Sequence, residues 1–315
     1  MKRFLAALLI LCLLLGLCAC SAKKSRDLVF TTGGDQGTYF AFGGVMSQKI
    51  SEVTDTKITA IASGGSKANI ESLDAGDADF GFVQSDVMAY AYSGSRLFAE
   101  TGAVSGFSVV AALYMEQVQI VTLNPDIKTV ADLADRKVSI GASGSGVYFN
   151  AIDILSAYGL SEDDIKPTYQ SFGDSAEALK DGQIDAAFVV AGAPTNAVTS
   201  LAATNPVYLV SLDDEHISAL TASSPYYTKY VIPASVYNTP EDVSTVAVGA
   251  VVIARNDVKD ADVYNFLSAV FNNADSLAHD KAKELDLAFA ASVTDVPYHP
   301  GAVKFFAEKG FTVNG

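Results

Sequence analysis

The sequence repeats one pattern, a short apolar strand that is followed by a glycine-rich loop and the start of a helix. VFTTGGDQGTYF begins at Val29 and VSIGASGSGVYF at Val138, so that the first valines and the closing Gly-x-Tyr-Phe align at an offset of 109 residues. LDAGDADFGFVQ from Leu73 and LKDGQIDAAFVV from Leu179 align at an offset of 106 residues. In each of these a glycine ends a helix before the next strand. Two matches in the same order and at nearly the same spacing predict two similarly built α/β lobes.

Strand-like runs alternate with helical stretches along most of the chain. This alternation is typical of mainly parallel sheets that are flanked by helices. The strand-like runs are LVFTTG, KITAIAS, ADFGFVQ, KVSIGAS, IDAAFVV and PVYLVSL, and the helical stretches include residues 39–54, 67–73 and 149–158.

Two apolar runs, residues 107–123 and 244–256, are longer than a single strand needs. Both lie where the chain would pass from one lobe to the other, and we interpret them as paired crossover strands that form a hinge. The resulting division gives lobe one as residues 28–115 and 247–315, and lobe two as residues 116–246. Helices at about 260–280 and 300–309 are expected to pack on lobe one.

The first residues have the layout of a secretory signal peptide. A basic start precedes an apolar run from Phe4 to Leu17, which is shorter than the roughly 20 residues of a membrane span. The ending Leu-Cys-Ala-Cys resembles a bacterial lipobox, and it predicts a signal peptide of residues 1–19, lipidation of Cys20 and a tether over residues 20–27. An ordinary signal peptide with incidental cysteines is the alternative. No cysteine follows Cys20, so the mature chain forms no disulfide.

The charge balance argues against two classes of partner. The whole chain has a formal net charge of −15, and loss of the two basic residues of the signal peptide lowers it to −17. Such a chain is not expected to bind nucleic acid or an anionic membrane surface, so the predicted membrane contact is the lipid anchor alone. Half of the residues are apolar, which is ample for two cores.

The glycine-rich loops predict a binding cleft between the lobes. Ligands of open parallel sheets bind beyond the carboxyl ends of the strands, where loops lead into helix N-termini. With two lobes, both sets of loops face the same space. The predicted ligand-binding residues are Gly33, Gly34, Thr38, Tyr39, Gly65, Ser66, Asn69, Gln84, Ser85, Tyr114, Glu116, Ser143, Gly144, Ser145, Gly146 and Tyr148.

These loops could hold an anion without any arginine. The helices that start near Gly37 and Gly146 would point their N-termini at the cleft, and each N-terminus carries unpaired N–H donors and about half a positive charge. Serine and threonine hydroxyls, from Ser143, Ser145, Ser66 and Thr38, could add hydrogen bonds. The alternative is that the glycines and serines only make tight turns between strands and helices.

Several single charged and aromatic residues could either bind the ligand or have a structural role. Glu116 could accept the amino group of an amino-acid ligand, or it could be a surface carboxylate at the hinge. Lys67 is read as a solvated lysine rather than a ligand of a carboxylate, Arg255 as half of a structural ion pair and Arg136 as exposed. Packing in the core is the default for each tyrosine, and Tyr148 is the tyrosine most readily placed at a ligand.

The sequence carries no motif that favours an enzyme, a cofactor or a metal. It lacks the P-loop, the GxGxxG spacing and the GxSxG elbow. Its three histidines, His216, His279 and His299, are far apart, and no cluster of metal ligands is visible. His299 is expected to close a turn before the last helix, and the paired acids Asp163-Asp164 and Asp213-Asp214 to be solvated or to cap helices. An enzyme on a two-lobed fold stays open as a further alternative.

Several segments together resemble the TAXI group of solute receptors for TRAP transporters. They are TTGGDQGTYF, SGGSKANIESL, GDADFGFVQ, DLADRKVSIGASGSGVYF, DGQIDAAFVVAGAP, YVIPASVY and HPGAVKFFAEKG, which follow one another over nearly the whole mature chain. The resemblance implies a two-lobed periplasmic-binding-protein type II fold, in which each lobe is a mainly parallel sheet flanked by helices. It also implies an extracytoplasmic receptor that delivers a small organic acid, such as a glutamate-like carboxylate, to an ion-gradient-driven TRAP permease. A binding protein of the same fold that serves an ATP-driven importer, or that acts as a sensor, is the nearest alternative.

Overall fold

The computed structural model describes residues 27–315 of the chain. The predicted signal peptide, the lipidation of Cys20 and most of the tether lie outside these residues. The strands are β1 (Leu28–Thr31), β2 (Ile58–Ile61), β3 (Phe80–Gln84), β4 (Phe107–Thr122), β5 (Lys137–Ser139), β6 (Lys166–Thr168), β7 (Ala186–Ala191), β8 (Tyr208–Leu209), β9 (Thr228–Ile232) and β10 (Val243–Arg255). The α-helices are α1 (Thr38–Val53), α2 (Ser66–Asp74), α3 (Ser85–Ser93), α4 (Val147–Ala157), α5 (Phe172–Lys180), α6 (Asn196–Ala202), α7 (Asp214–Ser223), α8 (Asp260–Phe271), α9 (Leu287–Ala290) and α10 (Pro300–Glu308).

These strands form one continuous sheet with the order β2-β1-β3-β10-β4-β7-β5-β6. At each end of the sheet the strands β2-β1-β3 and β7-β5-β6 are parallel, as the strand–helix alternation predicts. The central strands β10 and β4 are antiparallel to each other and to their neighbours β3 and β7. The outer strands β8 and β9 pair with β4 and β10.

The two long apolar runs form β4 and β10, the strands that connect the two ends of the sheet. β4 pairs with β10 from Phe107 to Gln117 and with β7 from Gln117 to Thr122. β10 pairs with β9 up to Ala247 and with β3 from Ala250 onward. The change of partners at Gln117 and Ala247 falls beside the lobe boundaries that we propose from the sequence.

Separate apolar cores stabilise the two lobes. The core of lobe one includes Phe30, whose ring stacks on that of Phe82 at 5.1 Å between centroids. Lobe two has a core on each face of its sheet, because successive residues of β7 point to opposite sides. Phe188 belongs to the core beneath α4 and α7, whereas Ala187 and Val189 belong to the core beneath α5 and α6.

The C-terminal segment differs in part from the expectation. The helix predicted at 260–280 is wrong in length, because α8 ends at Phe271 and is followed by two asparagines, Asn272 and Asn273. Asparagine competes with the helical backbone through its own side-chain hydrogen bonds, and here the Asn273 side chain donates to the Ala269 carbonyl at 2.8 Å. Short turns then lead to α10, whose N-cap His299 accepts a hydrogen bond from the Gly301 N–H, as predicted.

Candidate functional site

The loops that follow β1, β2, β5 and β6 meet the ends of β3 and β7 at a cleft of about 560 Å³, its open mouth included. This is the edge at which the carboxyl ends of the parallel strands of both lobes come together. The cleft is lined by Gly33, Gly34, Gly37, Thr38, Tyr39, Ser63, Gly64, Gly65, Ser66, Gln84, Glu116, Ala142, Ser145, Gly146, Val147, Gln170, Ser171, Phe172, Val190 and Ala191.

The cleft contains ten of the sixteen residues that we predicted from the sequence. They come from both lobes and from the crossover strand β4, which carries Glu116. The ten are Gly33, Gly34, Thr38, Tyr39, Gly65, Ser66, Gln84, Glu116, Ser145 and Gly146.

Four of the other predicted residues have structural contacts away from the cleft lining. Asn69 is fully buried and donates to the carbonyls of Thr32 and Phe82, at 2.7 and 2.6 Å, so that it ties the ends of β1 and β3 together. The Ser85 hydroxyl accepts a hydrogen bond from the Gly249 N–H at 3.0 Å.

Tyr114 and Tyr148 also lie outside the cleft lining. Tyr114 is buried in the core behind the cleft, where its ring lies 5.6 Å from the Lys281 Nζ. The Tyr148 hydroxyl donates to Glu162 at 2.9 Å. The first turn of α4 therefore reaches the cleft through Gly146 and Val147, while the side chain of Tyr148 lies on another face of that helix.

Ser143 and Gly144 do not line the cleft, and Gly144 joins the two lobes. The Gly144 carbonyl accepts a hydrogen bond from the Ala68 N–H at 3.0 Å, and its positive φ of 84° is the conformation that favours glycine. A second contact joins the lobes where the Thr38 hydroxyl donates to the Gly192 carbonyl at 2.9 Å. The described arrangement is thus one in which the two lobes are in contact beside the cleft.

Three helices begin at the cleft, and each begins with a glycine at the N-cap. These residues are Gly37 for α1, Gly65 for α2 and Gly146 for α4, and none of the three helices has a side-chain cap. The first N–H groups of a helix have no partner within it and carry partial positive charge. Next to them, the Ser145 hydroxyl is buried and has no hydrogen-bond partner. This end of the cleft therefore offers N–H groups and a hydroxyl group that could donate hydrogen bonds to a bound anion.

Glu116 contributes a carboxyl group to the cleft, in contrast to the hydrogen-bond donors of the helix N-termini. Its side chain is buried, and it accepts a hydrogen bond from the Tyr39 hydroxyl at 2.6 Å. Burial raises the pKa of Glu116 to about 8, although the bond from Tyr39 works in the other direction. Burial, together with the Glu116 charge, also raises the pKa of Tyr39. Glu116 is therefore a carboxyl group in the wall of the cleft and not a surface carboxylate.

No lysine or arginine lines the cleft within the described residues. Lys67 pairs with Glu71 on the surface of α2, as a solvated lysine would. Arg255 donates to the buried Asp79 at 3.1 Å, which confirms the predicted structural ion pair. An anion in the cleft would thus depend on backbone and hydroxyl donors.

The cleft also contains residues that the sequence reasoning missed, chiefly on the loop between β6 and α5. Gln170, Ser171 and Phe172 lie there, and Ser171 caps α5 by accepting from the Asp174 N–H at 3.2 Å. The signal was a Ser-x-x-Asp pattern before a helix. The three-residue strand β6, which contains Pro167, was too short to be recognised, and so the loop after it was not counted. Ala142, Val147, Val190 and Ala191 were also missed, and the rest of the lining is Gly37, Ser63 and Gly64 from the glycine-rich loops.

Residues 27–315 contain no group of three or more His, Cys, Asp or Glu side chains that could hold a metal ion. His216 contacts Asp213, which caps α7, and the carboxylate of Asp164 caps a short turn, as expected for these acids. None of the helices within this range is long and apolar enough to span a membrane.

Solved structures of binding proteins share this fold. The alkanesulfonate-binding protein SsuA from Xanthomonas axonopodis pv. citri, bound to MOPS, is 17% identical, with a TM-score of 0.53 over 90% of this chain and 84% of that chain. PhnD1 from Prochlorococcus marinus, in complex with methylphosphonate, is 12% identical, with a TM-score of 0.52 over 82% and 88%. The amino acid ABC transporter substrate-binding protein AbpA from Streptococcus pneumoniae, bound to L-arginine, is 15% identical, with a TM-score of 0.48 over 82% and 95%.

The first two matches establish the α/β, two-lobed periplasmic-binding-protein fold that we expected, with β4 and β10 as its crossover strands. Identities this low show the fold alone. The profile of the NMT1-like family matches residues 30–310, which is most of the described chain. The chain therefore belongs to the NMT1-like family.

Proposed function

We propose that this protein is an extracytoplasmic solute receptor that closes its two lobes on a small organic anion and presents it to a membrane transporter. The observation that carries the proposal is the meeting of three uncapped helix N-termini at one cleft, beside the unpartnered hydroxyl of Ser145. Closure around the ligand would be favoured because contacts from both lobes add to the closed state only. Catalysis is not part of the proposal.

A carboxylate is the anion that we propose first, in keeping with the TAXI resemblance. SsuA and PhnD1, which share the fold, are described with a sulfonate and a phosphonate, and both groups could accept hydrogen bonds from the same kind of donor. The cleft lies between the two lobes, and sites for small molecules are common at such boundaries. The anion class is therefore the first variable to test.

The transporter partner has two candidates. A TRAP permease follows from the resemblance described above, but the family match and the solved structures support only the broader class of solute receptor. The alternative, an ATP-driven importer, agrees better with the binding proteins that share the fold. A gene for a fused multi-span permease next to this one would favour TRAP, and a gene for an ATPase subunit would favour the importer.

We further propose that the lobes divide at residues 115/116 and 246/247.

We also propose that Cys20 anchors the mature protein to the cell membrane through a lipid. Mass spectrometry of the protein from the membrane fraction tests the anchor. A mature chain that begins at an unmodified residue would remove it from the proposal.

The central test is thermal unfolding of residues 27–315 against a panel of solutes. The protein is first unfolded and refolded to remove any ligand that was carried over. The panel contains glutamate, glutamine, 2-oxoglutarate, C4-dicarboxylates, short monocarboxylates, ethanesulfonate, methylphosphonate and inorganic anions. Unfolding is followed with an external dye because the chain has no tryptophan.

A ligand at 100 times its dissociation constant should add about 2.7 kcal/mol to the free energy of unfolding, which is several degrees for a domain of this size. A saturable shift with one acid class supports the receptor proposal and identifies the solute class. A protein that unfolds cooperatively without a shift for any panel member would contradict it, and the loops would then be turns only.

A further inference from the structure

A chain of buried polar side chains crosses from one lobe to the other beside the cleft. Gln84 is the last residue of β3 and Asp86 lies in the first turn of α3, both in lobe one, whereas Asn150 lies on α4 in lobe two. The Gln84 Nε2 donates to the Asn150 Oδ1 at 3.0 Å, and the Asn150 Nδ2 donates to the Asp86 Oδ2 at 2.9 Å. All three side chains are at most 2% exposed, so each amide must find its partners within the protein.

The carboxylate of Asp86 determines which way the two amides point. An ionised carboxylate only accepts hydrogen bonds, so the Asn150 NH2 group must face it. The same NH2 group is 3.0 Å from the Tyr227 hydroxyl, whose own proton is donated to Asp153 at 3.0 Å, so this second partner also acts as an acceptor. The Asn150 oxygen is thereby left to accept from the Gln84 NH2 group.

The side-chain oxygen of Gln84 is the one amide atom of this chain of polar side chains that remains without a partner. Its Oε1 is buried, has no hydrogen-bond partner and packs against Gly146 at the start of α4. Gln84 and Gly146 both line the cleft, as does Glu116. A buried carbonyl oxygen without a partner has lost the hydrogen bonds that it would make with water, and a ligand that donates a hydrogen bond to it would compensate for that loss.

We propose that Asp86 and Asn150 are positioning residues that fix the Gln84 amide with its oxygen beside Gly146 in the wall of the cleft, and that the solute places a hydrogen-bond donor, such as an amino group, against this oxygen. The inference rests on the proposed receptor function and narrows its solute to an anion that also carries a donor. The helix N-termini would take the anionic group, and Gln84 would take the donor.

Other charged and titratable groups surround Asp86, and they set the conditions of the test. Asp153 on α4 faces it and pairs with Arg96, while Tyr90, Tyr227 and Glu116 lie within electrostatic range. Burial raises the pKa of Asp86 to about 6, and Asp153 adds to this effect. Binding is therefore measured at pH 7.5, where Asp86 is ionised.

The decisive variant is Asp86→Asn, because an amide at this position can also donate. The Asn150 amide can then turn over, and the Gln84 NH2 group can face the cleft instead of its oxygen. Probes are used in pairs that share an anionic group and differ by one amine: L-glutamate with glutarate, taurine with ethanesulfonate, and 2-aminoethylphosphonate with ethylphosphonate. Calorimetry gives the ratio of dissociation constants within each pair.

We expect the wild-type protein to favour the amine-bearing member of the pair that it binds, and Asp86→Asn to reduce this preference by tenfold or more. Asp280→Asn, at an exposed carboxylate that pairs with Lys283, is the matched control and should keep the preference. Tyr227→Phe removes the second acceptor of Asn150, together with the hydrogen bond to Asp153, and keeps Asp86 in place. It should therefore lower the preference by less, and it serves as the test if Asp86→Asn does not fold. An amine preference that is unchanged in both variants overturns the inference, and so does a wild-type preference for the amine-free member.

Nuclear magnetic resonance of the ligand-free protein separates this inference from the receptor proposal. If no probe binds to the wild-type protein, the receptor proposal fails, while the orientation of Gln84 can still be determined. The described geometry predicts contacts between the Gln84 NH2 protons and Asn150. Contacts of these protons with Gly146 instead, or with neither residue, overturn the inference.

Discussion

Gly146 is the position at which a single methyl group can test the closure of the two lobes. Its backbone angles, φ −75° and ψ −20°, are helical, so an alanine fits the chain of lobe two without strain. The added methyl group would overlap the Gln84 amide and would lie 2.9 Å from the Ser66 hydroxyl, and both of these residues belong to lobe one. Gly146→Ala should therefore leave each lobe folded and oppose their contact.

The expected loss of affinity follows from the hydrogen bond that Gln84 would lose. To make room, its amide has to leave Asn150, whose buried oxygen then lacks a donor. Such a loss costs about 1–3 kcal/mol, which corresponds to an affinity about 5- to 150-fold weaker for any solute that requires the closed state.

Isothermal calorimetry with the best-binding solute of the panel measures this loss, and thermal unfolding of the ligand-free protein measures the fold. Gly44→Ala is the matched control, because Gly44 lies on α1 with open space where its methyl group would go. We expect that control to keep its affinity and to gain about 0.5–1 kcal/mol in stability. An affinity for Gly146→Ala within twofold of the wild-type value would refute the argument that Gly146 closes against Gln84.

Three further predictions address single side chains. Glu116 has a pKa of about 8 in the folded protein against 4.5 as its ordinary value, so the folded state holds a proton that the unfolded state releases, and stability should fall as the pH rises from 4.5 to 8. Glu116→Gln should flatten that fall in the melting temperature, and an unchanged pH profile would contradict the raised pKa. Asn69→Ala leaves two backbone carbonyls without their donor and should lower the free energy of unfolding by about 2–4 kcal/mol in urea titrations; a loss below 0.5 kcal/mol would show that Asn69 does not tie the strands together. Tyr148→Phe should leave ligand affinity unchanged within twofold by calorimetry, and a tenfold loss would return Tyr148 to the binding site.

Much of the fold could be predicted because its signals are local. The glycine loops near Gly33 and Gly146 occur at a constant offset, and the two crossover strands are the longest apolar runs after the N-terminal segment. The repeat of the glycine-rich loops therefore predicted two lobes, and the two long apolar runs predicted the strands that connect them. The short strand β6 had no such signal, because it has three residues and one of them is a proline.

The site was less predictable because a short motif does not determine which way a side chain points or which distant residues it contacts. Tyr148 and Val147 are adjacent in the sequence, yet Val147 lines the cleft and the Tyr148 hydroxyl contacts Glu162. Asp86 and Asn150 are 64 residues apart and lie in different lobes. Neither residue belongs to a glycine-rich loop, and only the folded arrangement connects Asn150 with Gln84 and Asp86.

The sheet is continuous through β4 and β10, and this has a consequence for how such a protein can be rebuilt. Gln117 and Ala247 are register partners, so the chain leaves lobe one and returns to it at two adjacent points. In topological terms, all the residues between them form one insertion in lobe one, whose two ends are already held together by a ladder of hydrogen bonds. Insertions with adjacent ends are tolerated well by their hosts. Lobe two could therefore be exchanged as a cassette among proteins of this fold, which would change half of the cleft while the helix N-termini of lobe one stay in place.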